Sequence, residues 1–215
     1  MVANASAALR WLKGADANLA EVQTCLENIV RSGHRTNDII ASVRSMFEKK
    51  SSEIGLVDVR QLIGDVVALV QSELQSHQIS LRLELPDALP KVVGASVQLQ
   101  QVTLNLITNA IEAMSSVLGH ERRLTIASSC EQGKSVTITI EDTGRGIDPL
   151  HFDHVFQPFF TTKSHGMGLV LAISRSIVEA HGGQLRAAPR NLSGTAFHLT
   201  MPLSPPGTPS EPMKK

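Results

Sequence analysis

The chain has no net charge: 20 lysines and arginines balance 20 aspartates and glutamates over 215 residues. No bulk field therefore draws it to nucleic acid or to an anionic membrane. The longest basic runs are only the lysine pairs at 49–50 and 214–215. Cysteine is scarce as well. Cys25 and Cys130 lack CxxC or zinc-type spacing and read as ordinary reduced thiols of a cytosolic protein. No apolar run reaches the ~20 residues that span a bilayer, no signal peptide is visible at the start, and there are no internal repeats. These absences point to a soluble cytoplasmic segment with no nucleic-acid partner and no direct membrane contact. Met1 runs straight into a helical stretch, which reads as a segment cut from within a longer chain.

The length accommodates one full domain with a proper core plus a smaller element. A short helical run over 2–12 breaks at Lys13-Gly14-Ala15-Asp16-Ala17. A second helix starts at Asn18, with Glu21 three residues on as the partner of a capping box. From there Leu19, Val22, Leu26, Ile29, Gly33, Thr36, Ile40, Val43 and Phe47 recur on alternating steps of three and four. That is a coiled-coil seam of about four heptads, roughly 45 Å long. Such a narrow stripe needs a second helix or a second copy to cover it, which predicts a homodimer through the N-terminal helices. After 52 the pattern changes. A short strand at Val57–Val59, a helix over 62–74 and an alternating strand over 79–85 are predicted, then a long helix over 96–118. Strands at 124–127 and 136–140 follow, then an irregular glycine-rich stretch over 142–167. A helix over 168–181 stops at Gly182-Gly183, and strands at 184–187 and 195–201 close the domain. The fold class is α+β, one mixed sheet with helices on one face. The expected domains are 1–52, 53–203 and a disordered proline-rich tail at 204–215.

Three stretches carry chemistry. The 96–118 helix is apolar over most of its circumference, except for one line: Gln98, Gln101, Asn105, Thr108, Asn109, Glu112 and Ser116. A solvated strip usually carries lysine and glutamate, and here only Glu112 is charged. Carboxamides suit a site with phosphate and metal together, because the oxygen can ligate Mg²⁺ while the NH₂ donates to phosphate. Next, the 136–141 strand feeds into Asp142-Thr143-Gly144-Arg145-Gly146-Ile147. The glycines permit positive φ and close backbone approach to a flat ligand, and a carboxylate at a strand end can accept from an exocyclic amine such as that of adenine. Finally, four of the six phenylalanines, Phe152, Phe156, Phe159 and Phe160, precede Thr161-Thr162-Lys163-Ser164-His165-Gly166-Met167-Gly168. Apolar rings can pin a loop whose polar part moves. The N–H groups of Gly166 to Leu169, at a helix start, form an anion site, with Lys163 a mobile cation and the threonines hydroxyl donors. Each stretch alone could be a solvated strip, a turn or a stapled surface loop.

Taken in order, these stretches resemble the ATP-binding domain of sensor histidine kinases, with the Bergerat fold shared with gyrase and MutL-type ATPases. The matching pieces are Asn105 to Ala113 (asparagine box), Asp142 to Ile147 (first glycine box), Phe156 to Lys163 (phenylalanine box) and Gly166 to Leu171 (second glycine box). Ile177 to Gly183 and Gly194 to Phe197 match further family stretches, so the resemblance covers roughly residues 57–203. The spellings around Asn109 and Phe159 look like those of nitrogen-regulation and oxygen-sensing kinases. The resemblance implies ATP and Mg²⁺ as cofactors and a response-regulator receiver domain as partner. Asp142 would accept the adenine amino group, with Thr195 nearby, and Gly144 and Gly146 would let the purine lie against backbone beside Ile147. Asn109 would hold Mg²⁺ and Asn105 would reach the phosphates. Thr161, Thr162, Lys163, His165, Gly166, Met167, Gly168 and Leu169 would make the triphosphate lid. In the gyrase branch the position of Asn105 is a glutamate that activates water, and an asparagine cannot serve as that base. Phosphoryl transfer is therefore implied rather than ATP hydrolysis.

The sequence departs from the family pattern in three places. The third glycine of the second glycine box is Val170, and the aspartate usual before the asparagine-box helix is Ala95, with Ser96 the candidate cap. The His-Glu-x-x-x-Pro-Leu stretch of the first hairpin helix is missing, and none of the eight histidines, His34 included, has that context. Autophosphorylation of this chain alone is not expected. The alternative reading is a non-catalytic nucleotide-sensing or pseudokinase module that dimerises through the seam. Valine adds a branched Cβ at a helix start near phosphate, so Val170→Gly is expected to tighten ATP binding or change protection of the lid from proteolysis. Unchanged values for both would show that Val170 is neutral.

Overall fold

The computed structural model describes residues 2–13, 18–29, 33, 53–115, 117, 119, 121–131, 133–162, 167–190 and 193–203. The chain divides into two compact units, residues 1–50 and 51–215. In the first, helix α1 (Val2–Lys13) is followed by a helix α2 over 19–29. Asn18 Oδ1 accepts from the Glu21 N–H at 3.3 Å, the N-cap bond the sequence predicts at that position. Ala8 and Val22 are buried, whereas Leu9, Trp11, Leu12, Leu19 and Leu26 are exposed. The seam positions Thr36, Ile40, Val43 and Phe47, together with His34, lie outside the described residues, as does the 204–215 tail.

The second unit contains β1 (Gly55–Val57), α3 (Val59–Ser76), β2 (Ser80–Glu84), β3 (Val92–Gly94), α4 (Ser96–Ser115), β4 (Arg123–Glu131), β5 (Ser135–Asp142), α5 (Val170–Ala180), β6 (Gln184–Pro189) and β7 (Thr195–Pro202). β1 and β3 make a small antiparallel pair. The main sheet has the order β2-β4-β5-β7-β6, parallel only between β2 and β4. This is the α+β arrangement expected. Period-2 alternation gives the sheet its two faces. Leu124, Ile126, Val136, Ile138, Ile140, Leu199 and Met201 are buried toward the helices. Thr125, Ala127, Thr139, His198 and Thr200 line the other, more open face, where Thr137 and Thr200 share a hydrogen bond of 3.0 Å.

α4 is the central helix. Val102, Leu106, Ile107, Ala110, Ile111 and Met114 are almost wholly inaccessible, each large one contributing about 1.5–3 kcal/mol by leaving water. α3 and α5 flank it and pack against it. α3 begins where Asp58 accepts from the Gln61 N–H at 3.1 Å, a single N-cap bond. Among the described residues no helix is long and apolar enough to cross a membrane.

Several predicted boundaries shift. The strand expected at Val57–Val59 lies at Gly55–Val57, because Val59 opens α3 after the Asp58 cap, and β4 runs to Glu131 rather than 127. α4 ends at Ser115 rather than 118, with Ser116 and Leu118 outside the described residues. The Arg122 guanidinium takes the carbonyls of Val117 (2.9 Å) and Ser115 (3.5 Å), as well as that of His77 beyond α3 (2.9 Å). A cation on orphan carbonyls at a helix C-terminus is favourable. α5 begins at Val170 rather than Gly168, because Gly168 has φ +65°. Beside Arg122, Glu121 is paired with Arg123, which holds the exposed carboxyl below its ordinary range with help from Ser80. Arg122→Ala should lower stability by about 1–3 kcal/mol, the worth of hydrogen bonds to a charged group, read as the urea midpoint at unchanged m-value. A shift under a few tenths would show that water replaces the guanidinium.

Candidate nucleotide-binding site

Asp142 ends β5 and is buried, with 2% of its surface exposed. A buried carboxylate needs donors, and its Oδ1 accepts from the Gly144 N–H at 2.7 Å. Three backbone segments converge around it. Gly194 (φ +104°) lies directly on the strand end, where an added Cβ would come within 1.9 Å of the Asp142 carbonyl oxygen. Gly146 (φ +74°) backs onto Gly194, and a Cβ on Gly144 would meet the Ala113 carbonyl of α4 at 2.8 Å. Hydrogen bonds close the corner: Ser193 Oγ to the Gly144 carbonyl at 2.7 Å, and the Arg145 N–H to the Ala113 carbonyl at 3.4 Å. Thr195, 3% exposed, opens β7 one position beyond the Ala196–Glu141 pair and so lies beside Asp142. Thr143 ties the other side, accepting from the Arg123 N–H and donating to the Glu121 carbonyl, each at 2.9 Å.

Asn105 and Asn109 lie one helical turn apart on α4, half-buried, in line with Ala113 under the glycine loop. Asn105 Nδ2 donates to Ser174 Oγ on α5 at 3.2 Å. Ile147 packs against the core. The phenylalanines divide. Phe156 is buried against Phe197 (edge-to-face, 6.4 Å) beneath the Arg175 guanidinium (5.2 Å), and Phe160 packs between His151 and His154. Phe152 is half-buried, while Phe159 is exposed at φ +68°. That backbone is uncommon for a non-glycine residue. Here the Phe159 N–H is held by the Gly168 carbonyl at 3.0 Å. Gly168 in turn presses so closely on Phe160 that a Cβ would lie 2.2 Å from its carbonyl oxygen. Thr161, Thr162 and Met167 are exposed, Leu169 packs against the core, and Lys163, His165 and Gly166 lie outside the described residues. α5 starts with no side-chain cap at Leu169.

The structure thus gathers Asp142, Gly144, Gly146 and Thr195 into one corner, Gly144 on the Asp142 carboxylate, Gly146 on Gly194 and Thr195 by strand register, with Asn105 and Asn109 on α4. Two participants, Ser193 and Ser174, escaped sequence reasoning, and a third, His181, was matched without its role. Ser193 precedes a matched stretch with no pattern of its own. Ser174 is a polar residue at an apolar position of α5, a faint signal. His181 is buried, with 7% of its surface exposed: its Nε2 accepts from the Ala95 N–H at 3.0 Å, so Nδ1 carries the proton and donates to the Ile177 carbonyl at 2.8 Å. This buried bond, rather than Ser96, ties down the start of α4.

Comparison with known proteins agrees with this geometry. Residues 94–205 match the family model of histidine kinase-, DNA gyrase B-, and HSP90-like ATPases. The sensor histidine kinase TmoS of Ectopseudomonas mendocina is 34% identical over 95% of this chain and 21% of its own length. The sensor protein FixL of Bradyrhizobium diazoefficiens is 34% identical over 90% of this chain and 38% of its own. The nucleotide-free catalytic domain of histidine kinase ThkA superposes with a TM-score of 0.64 at 29% identity, covering 71% of this chain and 99% of that one. The chain belongs to the histidine kinase-, DNA gyrase B-, and HSP90-like ATPase family. Within it, the chain is an ATP-binding catalytic domain of the two-component sensor histidine kinase class, spanning between about a fifth and two fifths of these two curated relatives.

Gly194→Ala should destabilise the domain by more than about 2 kcal/mol, since both positive φ and backbone overlap oppose a Cβ. Thermal unfolding reads this out, and a wild-type transition would show that β7 can slide away from Asp142.

Proposed function

We propose that this chain binds ATP with Mg²⁺ between α4 and the 161–169 segment, for transfer of the γ-phosphate to a histidine on a hairpin helix and thence to a response-regulator aspartate. The observation that carries the reading is the buried Asp142 carboxylate set in a corner built from Gly144, Gly146 and Gly194. A buried carboxylate acceptor flanked by close-packed backbone matches a purine edge with its exocyclic amine. Thr195 stands beside it, and Ile147 offers an apolar side to the ring.

The phosphate end fits the same ligand. Asn109 and Asn105 supply amides, Thr161, Thr162, Lys163 and His165 are candidate donors, and the start of α5, where Leu169 makes no side-chain cap, suits an anion. Among the described residues no group of three or more His, Cys, Asp or Glu side chains could hold a metal by itself. Mg²⁺ here would be shared between the Asn109 amide and the nucleotide phosphates, as suits an ion bound through few protein ligands. Bound Mg²⁺ supplies charge neutralisation on the transferring phosphoryl group, and the residues orient that group and exclude water. Asn105 cannot act as a base toward water, which favours transfer over hydrolysis.

The exposed Leu9, Trp11, Leu12, Leu19 and Leu26 support pairing of two copies through the N-terminal helices. A response-regulator partner is supported by histidine kinase ThkA, which has been solved in complex with the response regulator TrrA and shares this fold at 22% identity, TM-score 0.71.

Calorimetry should detect MgATP binding that Asp142→Asn weakens about 10- to 100-fold, the loss of a charged acceptor. Absence of heat from wild type, with Asp142→Asn also without effect, would dismiss nucleotide binding. With labelled ATP, the chain alone should form no acid-labile phosphohistidine, whereas adding a hairpin fragment that carries the His-Glu-x-x-x-Pro-Leu stretch should restore labelling in trans. Binding without labelling in trans would favour the nucleotide-sensing module.

A further inference from the structure

Ser174 is completely buried in the first two turns of α5, on the side packed against α4. Its Oγ lies 2.8 Å from the Val170 carbonyl and 3.2 Å from Asn105 Nδ2. The hydroxyl has one proton, and a carbonyl can only accept. The proton therefore goes to Val170, and Oγ meets Asn105 with a lone pair. That settles which end of the Asn105 amide points at α5. With the oxygen there instead, two acceptors would face each other in a buried place, at the cost of an unmade hydrogen bond. The amide nitrogen is thus fixed toward α5, which leaves Oδ1 as the end of the amide that Ser174 does not engage.

On this basis we infer that Ser174 is a positioning residue for the nucleotide's cation: it locks Asn105 so that the oxygen, rather than the amide nitrogen, is offered to the cleft. The inference rests on the ATP–Mg²⁺ reading above and deepens it. It also revises the role the resemblance implies for Asn105, since a fixed oxygen repels a phosphate oxygen and attracts a magnesium ion or its water. The bond to Val170 adds a second function. The same hydroxyl joins the first turn of α5 to α4, so the helix start that faces the phosphates and the amide that faces the cation move as one piece. A small residue filling a gap between two helices would need no hydroxyl, and this is the competing account.

The test uses the full chain, with ATP titrated calorimetrically in EDTA and across a Mg²⁺ series, for wild type, Ser174→Ala, Asn105→Ala and the double variant. Ser174→Ala is expected to raise the Mg²⁺ concentration for half-maximal enhancement of ATP binding about 5-fold, the worth of one neutral hydrogen bond, with little change in EDTA. The double variant should be no worse than Asn105→Ala alone, because contacting residues in one network are non-additive. A urea midpoint for each variant separates folding from binding. Equal weakening in EDTA and in Mg²⁺, additivity of the two substitutions, or no effect of Ser174→Ala would each overturn the inference while leaving ATP binding intact. A wild-type chain that binds no ATP under any condition would instead remove the functional reading itself, and the inference with it.

Discussion

The second unit is organised around a place where three stretches of main chain meet with no side chain between them. The end of β5, the start of β7 and the last turns of α4 approach so closely at Asp142, Gly194 and Gly144 that hydrogen is the only substituent with room. Close packing of backbone on backbone is rigid, because it leaves few torsions that can relax. It also buries a carboxylate that has to be satisfied locally, and the Gly144 N–H does so at 2.7 Å. Sheet register and the position of α4 follow from the same corner. Moving any one of the three segments would expose the charge or force a collision.

Around that fixed corner the domain separates tasks by residue chemistry. Core helices and inward strand positions supply apolar mass, with Ile107, Ile111, Leu124 and Ile140 essentially inaccessible. Amides, a hydroxyl and a single carboxylate, Glu112, occupy the one polar line of α4, so little fixed charge is set against the core. Cations are kept to the periphery, as with Arg122 on the helix-end carbonyls and Arg175 over Phe156. Polar ties inside the core, His181 to Ala95 and Ser174 to Asn105, join helices at points where an apolar contact would hold distance but not orientation.

Much of this was legible from the sequence, and for identifiable reasons. Strand alternation at 124–126 and 136–140 showed the inner face because one face meets helices and the other does not. Asp142 with Gly144 and Gly146 was legible because close backbone approach admits few residue types. The boundaries of α4 and α5 were less so. α4 stops where a distant Arg122 takes its carbonyls, and α5 starts late because Gly168 is committed to Phe159, neither of which is a local property. The orientation of Asn105 was beyond pattern reading altogether. It depends on a serine 69 positions away whose own proton is claimed by the turn before it. His181 was visible as a matched residue but not as a clasp, since a histidine in a motif says nothing about which backbone group its ring will meet.

The clip between Phe159 and Gly168 has a consequence for how this domain can vary. The two feet of the 160–167 segment stand one hydrogen bond apart, 3.0 Å between N–H and carbonyl, and are anchored separately by Phe160 and Leu169 in the core. A span whose ends are already fastened places almost no demand on its own length. Closing a loop twice as long costs only about 0.6 kcal/mol more. Residues can therefore be gained, lost or exchanged between these two feet at little cost to the sheet or to the corner around Asp142.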